Sequence, residues 1–74
     1  MKVVLKDMKT ILEFVHLAEQ FQEDIDVTDG HYIVSGKSIL GLCALASAEV
    51  LTATIMKDDK TEFNAVMARF SAAD

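Results

Sequence analysis

Residues 34–45, Val-Ser-Gly-Lys-Ser-Ile-Leu-Gly-Leu-Cys-Ala-Leu, constrain this chain more than any other stretch, because a strand, a tight connection and a short apolar helix must all fit inside it. Ser35-Gly36 breaks the strand. Lys37-Ser38 then opens a helix with a hydroxyl near its unpaired first amides, and five of the next seven residues are Ile, Leu or Cys. A helix with apolar groups on every side either lies inside a core or shows one face to a partner. A chain of 74 residues has little room for a wholly interior helix. The spacing therefore predicts that Leu42 and Leu45 turn inward while Leu40 and Cys43, on one side of the helix, turn outward.

The rest of the chain alternates between the two periods of regular structure. Lys2 to Leu5 alternates weakly, with Val3 and Leu5 on one face, and is predicted as a short first strand. From Thr10 the apolar residues Ile11, Phe14, Val15, Ala18 and Phe21 recur at helical steps, while Glu13, His16, Glu19 and Gln20 point elsewhere. This predicts a helix from about Met8 to Gln20, with Asp7 as N-cap because its carboxylate can accept from the free amides of the first turn. Asp29-Gly30 between Asp24 to Thr28 and His31 to Ser35 reads as a type I′ hairpin turn. That turn would pair Val27 with Tyr32 and Ile25 with Val34, and all four are expected to be buried. Val50 to Met56 alternates again, with Leu51, Ala53 and Ile55 inward. Asp59 to Phe70 carries the stripe Phe63, Val66, Met67 and Phe70, with Asp59 and Glu62 spaced as a capping box. The predicted order is β-α-β-β-α-β-α in a single domain, 1–74, of the two-layer α+β class.

Composition narrows the function classes. A chain this short buries only about 60 to 65% of its unfolded surface, so modest stability is expected. With 51% hydrophobic residues it can still form one core. Its apolar runs fall short of the roughly 18 residues that span a bilayer, and no signal peptide opens it, so the expectation is a cytoplasmic protein without membrane insertion. One cysteine precludes an intramolecular disulfide framework. A net charge of −5 disfavours nucleic acid and favours protein partners with basic faces. Two separated histidines, His16 and His31, predict neither a metal site nor a cofactor, and both read as surface residues. Cys43 reads as a small apolar filler.

The segment Gly36-Lys37-Ser38-Ile39-Leu40-Gly41, followed by Leu45, resembles the corresponding segment of HPr, the histidine phosphocarrier of the bacterial sugar phosphotransferase system. Glu13-Phe14-Val15, Phe21, Ile25-Asp26-Val27 and Asp29-Gly30 fall at similar spacing upstream. The later strand and helix fit downstream, so the resemblance covers nearly the whole chain. It implies an open-faced β-sandwich: a four-stranded antiparallel sheet in the order 1-4-2-3 with three helices on one face.

The resemblance fails at the family's catalytic motif. Asp7 stands at the position of the phosphoryl-accepting histidine, Lys9 at that of the arginine and Thr10 at that of the proline. His16 lies nine residues further on, about two and a half turns from the helix start, and cannot substitute. The implied protein is a non-catalytic binding or regulatory module that has lost the phosphohistidine. An alternative is a phosphocarrier that uses Asp7 as an acyl-phosphate acceptor. Another is a structural domain that associates with itself, a homo-oligomer. Ser38 aligns with the serine that an ATP-dependent kinase phosphorylates in HPr of many Gram-positive bacteria. Ile39, Leu40 and Cys43 align with the face that contacts phosphotransferase enzymes and regulators of sugar transport.

Overall fold

The computed structural model describes residues 1–72. Period-two segments give four strands, β1 (Lys2–Val3), β2 (Ile25–Asp29), β3 (Tyr32–Ser35) and β4 (Leu51–Ile55), in one antiparallel sheet of order β1-β4-β2-β3. The helical segments give α1 (Met8–Ala18), α2 (Ile39–Ala44) and α3 (Thr61–Val66), the last followed by a 3-10 turn at Ala68–Phe70. The α+β class, the strand order and the three helices are those predicted.

Alternation along β2 and β4 explains the layering. Ile25, Val27, Leu51, Ala53 and Ile55 are buried, whereas Asp26, Thr28, Thr52 and Thr54 on the other face are only half-buried. Ile25 pairs with Ile55 and Val27 with Ala53, so each inward position meets an inward position across the ladder. Over this face lie Ile11, Phe14, Val15 and Ala18 of α1, Leu42 of α2, and Phe63, Met67 and Phe70 from the C-terminal helical segment. Two edge-to-face ring pairs tie the layer together: Phe14 with Phe70 at 5.3 Å and Phe21 with Phe63 at 5.6 Å.

The hairpin register differs from the prediction. Asp29 pairs with Tyr32 and Val27 with Val34, so the two-residue turn is Gly30-His31 rather than Asp29-Gly30. Gly30 alone has positive φ, +61°. A left-handed residue at only the first central position marks a type II′ turn, whereas type I′ would require one at both. The shift preserves which residues share a face but moves Tyr32 to the hairpin tip, opposite exposed Asp29. Tyr32 is 64% exposed and Val34 half-buried, contrary to the expectation that both join the core.

The C-terminal helix is also shorter than predicted. Its N-cap is Lys60, without a side-chain cap bond, and Asp59 Oδ1 instead accepts from the Thr61 N–H at 3.0 Å, so the Asp59–Glu62 capping box does not form. Lys60 Nζ donates to the carbonyls of Ile55 and Lys57, fixing the end of β4 to the helix start. Val66 is half-buried, and Met67 fills the core where the α-helix gives way to the 3-10 turn.

Candidate functional site

Two helix starts carry the residues singled out from sequence. At the first, Asp7 has extended backbone (φ −130°, ψ 165°) and its Oδ1 accepts from the Thr10 N–H at 2.8 Å. The Thr10 amide, then its hydroxyl, holds the Asp7 carboxyl below the ordinary value of 3.8; its small desolvation opposes this, and Lys9 adds a weaker pull in the same direction. Asp7 and Lys9 are both exposed. This arrangement is an ionised helix cap, with one carboxylate oxygen already engaged.

The sign of the linkage gives a first prediction. A carboxyl whose folded pKa is depressed contributes stability above its unfolded pKa and loses that contribution as pH falls through the folded value. Asp7→Ala should therefore lower Tm at neutral pH, and the gap from wild type should narrow progressively as pH falls from about 3.8 through the lowered folded value, below which neither chain carries the charged cap. Melting curves across that range check it. A gap independent of pH would show that the carboxylate charge has no part in capping α1.

At the second helix start, Ser38 is the N-cap of α2, and its Oγ accepts from the Gly41 N–H at 3.0 Å. Ser35 Oγ accepts from the Lys37 N–H at 3.1 Å, and Lys37 Nζ donates to the Phe21 carbonyl at 2.6 Å. These bonds hold the connection between β3 and α2 against the end of α1. Leu42 and Leu45 point into the core, while Leu40 is 85% exposed and Ile39 is exposed beside it. Cys43 is half-buried against the core and forms only the rim of this face.

Sequence reasoning passed over Met8 and Leu12. Both are large, apolar and about half exposed, and they lie one turn apart on a flank of α1, the helix that packs against α2. The signal was available for Leu12, whose phase falls well outside the Ile11, Phe14, Val15, Ala18 stripe, whereas Met8 lies only at the edge of that stripe.

The two helix starts remain separate in their chemistry. His16 lies exposed in the last turn of α1, and His31 lies in the hairpin turn with its ring 5.1 Å from that of Tyr32. Among the described residues, no group of three His, Cys, Asp or Glu side chains is placed to hold a metal ion. No helix among them is long and apolar enough to cross a membrane.

Neither a family model nor a curated protein sequence matches the chain. Among solved structures, it is similar to HPr-C-His from Thermoanaerobacter tengcongensis, with a TM-score of 0.76 over 93% of this chain and 85% of that one, at 22% identity. The chain has the HPr-like fold. At this identity the likeness is one of fold.

Proposed function

We propose that this HPr-like domain is a non-catalytic binding or regulatory module that docks a protein partner through the outer face of α2. Ile39 and Leu40 form the centre of that face and Cys43 its rim. The observation that carries the reading is Leu40, 85% exposed on a helix that sets Leu42 into the core from its other side. Covering apolar surface is favourable by about 25 cal/mol per Å2, so a leucine held this far out is a ready contact for a partner. Met8 and Leu12 supply further apolar surface on the neighbouring helix. By the resemblance, the partners are enzymes or regulators of the phosphotransferase system. The acidic charge of the chain suits a basic partner face.

Ser38 is the proposed switch. A phosphate there would sit at the start of α2, where free amides and the helix dipole favour it, and would add negative charge beside Ile39 and Leu40. The phosphocarrier alternative draws support from the exposed, ionised Asp7 near Lys9. Phosphorylation of Asp7 would draw on a carboxylate already engaged as the cap of α1, which places this reading second. The self-associating structural domain needs no phosphate at all.

One labelling experiment separates these readings. Incubation with phosphoenolpyruvate and enzyme I should leave the protein unlabelled. An HPr-directed, ATP-dependent kinase should give an acid-stable label that Ser38→Ala abolishes. Rapid hydroxylamine-sensitive labelling from phosphoenolpyruvate, lost in Asp7→Ala, would overturn the non-catalytic reading. For docking, Leu40→Asp should weaken enzyme I binding in an NMR titration at least about tenfold, while changing stability by no more than about 0.5 kcal/mol.

A further inference from the structure

We propose that the cleft between the hairpin tip and the end of α2 binds a small organic cation, a primary ammonium carried on a compact apolar body. The cleft has a volume of about 370 Å3, and its walls include Asp29, Tyr32, Val34, Ala44, Leu45 and Ser47. That size lies within the range of small-ligand sites, which are mostly apolar with a few polar groups that fix orientation. The site does not depend on the docking face around Leu40.

The fold opens the cleft on the inner face of the sheet. Gly41 lets α2 approach β3 so closely that an added Cβ would lie 2.9 Å from Val34 Cβ. The cover over β3 ends with that contact. Tyr32, two residues back along the strand and about 6–7 Å away, is the next inward position, and it is 64% exposed. Asp29 pairs directly with Tyr32 across the hairpin, so the carboxylate and the phenol ring share this face. Buried Leu45 and half-buried Val34 supply the apolar part of the lining.

The polar features of the lining favour positive charge. Asp29 is its one carboxylate, and no lysine, arginine or histidine lines it; His31, with its ring 5.1 Å from that of Tyr32, stands outside the lining. The carboxylates of Asp7 and Asp59 accept from helix amides, whereas Asp29 lies exposed at a strand end. Ala44 closes α2 at the negative end of the helix dipole, and no basic side chain occupies the last turn. The amides of Leu45, Ala46 and Ala48 turn back to the carbonyls of Leu42, Cys43 and Leu45, and none of them to that of Ala44. The Tyr32 ring adds a π face for the cation. An ammonium beside Asp29 and Tyr32 would carry its apolar body toward Val34 and Leu45, one inward step along the sheet. An anion would be repelled there, and the net charge of −5 adds to the attraction of cations.

An NMR titration of the whole chain with 2-phenylethylammonium tests this, with 2-phenylethanol and phenylacetate as neutral and anionic counterparts of similar shape. Salt at about 0.15 M screens long-range attraction to the acidic surface. The cation should bind with a Kd of about 1 mM or tighter and shift the amides of Asp29, Tyr32, Ala44 and Leu45, and both counterparts should bind at least about tenfold more weakly. Asp29→Asn keeps the shape of the side chain and removes its charge, so it should weaken the cation at least about tenfold and leave 2-phenylethanol unchanged. Leu40→Asp should bind as wild type does. No saturable shift up to about 10 mM cation, or equal binding of 2-phenylethanol, would overturn the proposal. Shifts that persist undiminished in Asp29→Asn would overturn it in favour of general attraction to an acidic surface. Tighter binding of N-acetylarginine amide than of 2-phenylethylammonium would overturn it in favour of an arginine side chain of a protein.

Discussion

Gly36→Ala should destabilise the domain by about 2–3 kcal/mol, the upper part of the range for overpacking a close-packed site. An added Cβ would stand 2.6 Å from Ile25 Cγ2, 3.2 Å from Ile25 Cβ and 3.3 Å from Phe14 Cε1. None of these atoms can swing aside. Ile25 is β-branched, buried and paired with Ile55 across the sheet, and Phe14 is wholly buried. The chain must instead move at Gly36, which is held to β2 by its N–H bond to the Ile25 carbonyl at 2.7 Å. Against a total stability of about 4–11 kcal/mol for a chain of this length, the loss is large. Urea unfolding should show a lower midpoint with an unchanged slope. Gly30→Ala is the instructive comparison. Gly30 has positive φ but nothing within 4 Å, so its substitution should cost only the roughly 1–2 kcal/mol of a left-handed non-glycine residue. If Gly36→Ala proved neutral, the close approach of this connection to β2 would not be what sets the position of α2.

The contrast between these glycines shows what was legible in the sequence. The change from period two to period 3.6, and the phase of each stripe, needed only apolar spacing, so element order, layers and most of the core followed. Gly36 was readable as a strand breaker, but not as a contact, because its neighbours Ile25 and Phe14 come from distant segments. The hairpin failed for a related reason. Asp-Gly suits the centre of a type I′ turn and Gly-His the start of a type II′ turn, and the choice depends on how β2 meets β4 as well as β3. Both registers keep Ile25, Val27, Tyr32 and Val34 on one face, so the fold was insensitive to the error while the exposure of Tyr32 was not. On α2, the outward direction of Leu40 followed from its spacing to Leu42 and Leu45. The half-burial of Cys43 did not, because it depends on core residues that helical phase alone does not place.

Phe14→Ala should have the largest effect of any single change considered, about 3–5 kcal/mol, the range for emptying a buried aromatic site. Phe14 is wholly buried, meets Phe70 edge-to-face at 5.3 Å and lies under the backbone at Gly36. It thus joins α1, the C-terminal 3-10 turn and the start of α2. With about 4–8 °C of Tm per kcal/mol for a domain of this size, a fall of roughly 12–40 °C is expected in a melting curve. Phe70→Ala should also be severe, and the double variant should lose less than the sum, with a coupling of about 0.5–1.5 kcal/mol from the ring pair. Strict additivity would show that the two rings act only as separate fillers. The comparison with Leu40→Asp then bears on function. Both replace a large apolar side chain on a helix, yet one should remove a large share of the stability and the other should leave the fold intact. Loss of partner binding in Leu40→Asp without loss of Tm would locate Leu40 in the docking face, whereas any binding defect in Phe14→Ala would follow from displacement of both helices that carry the site.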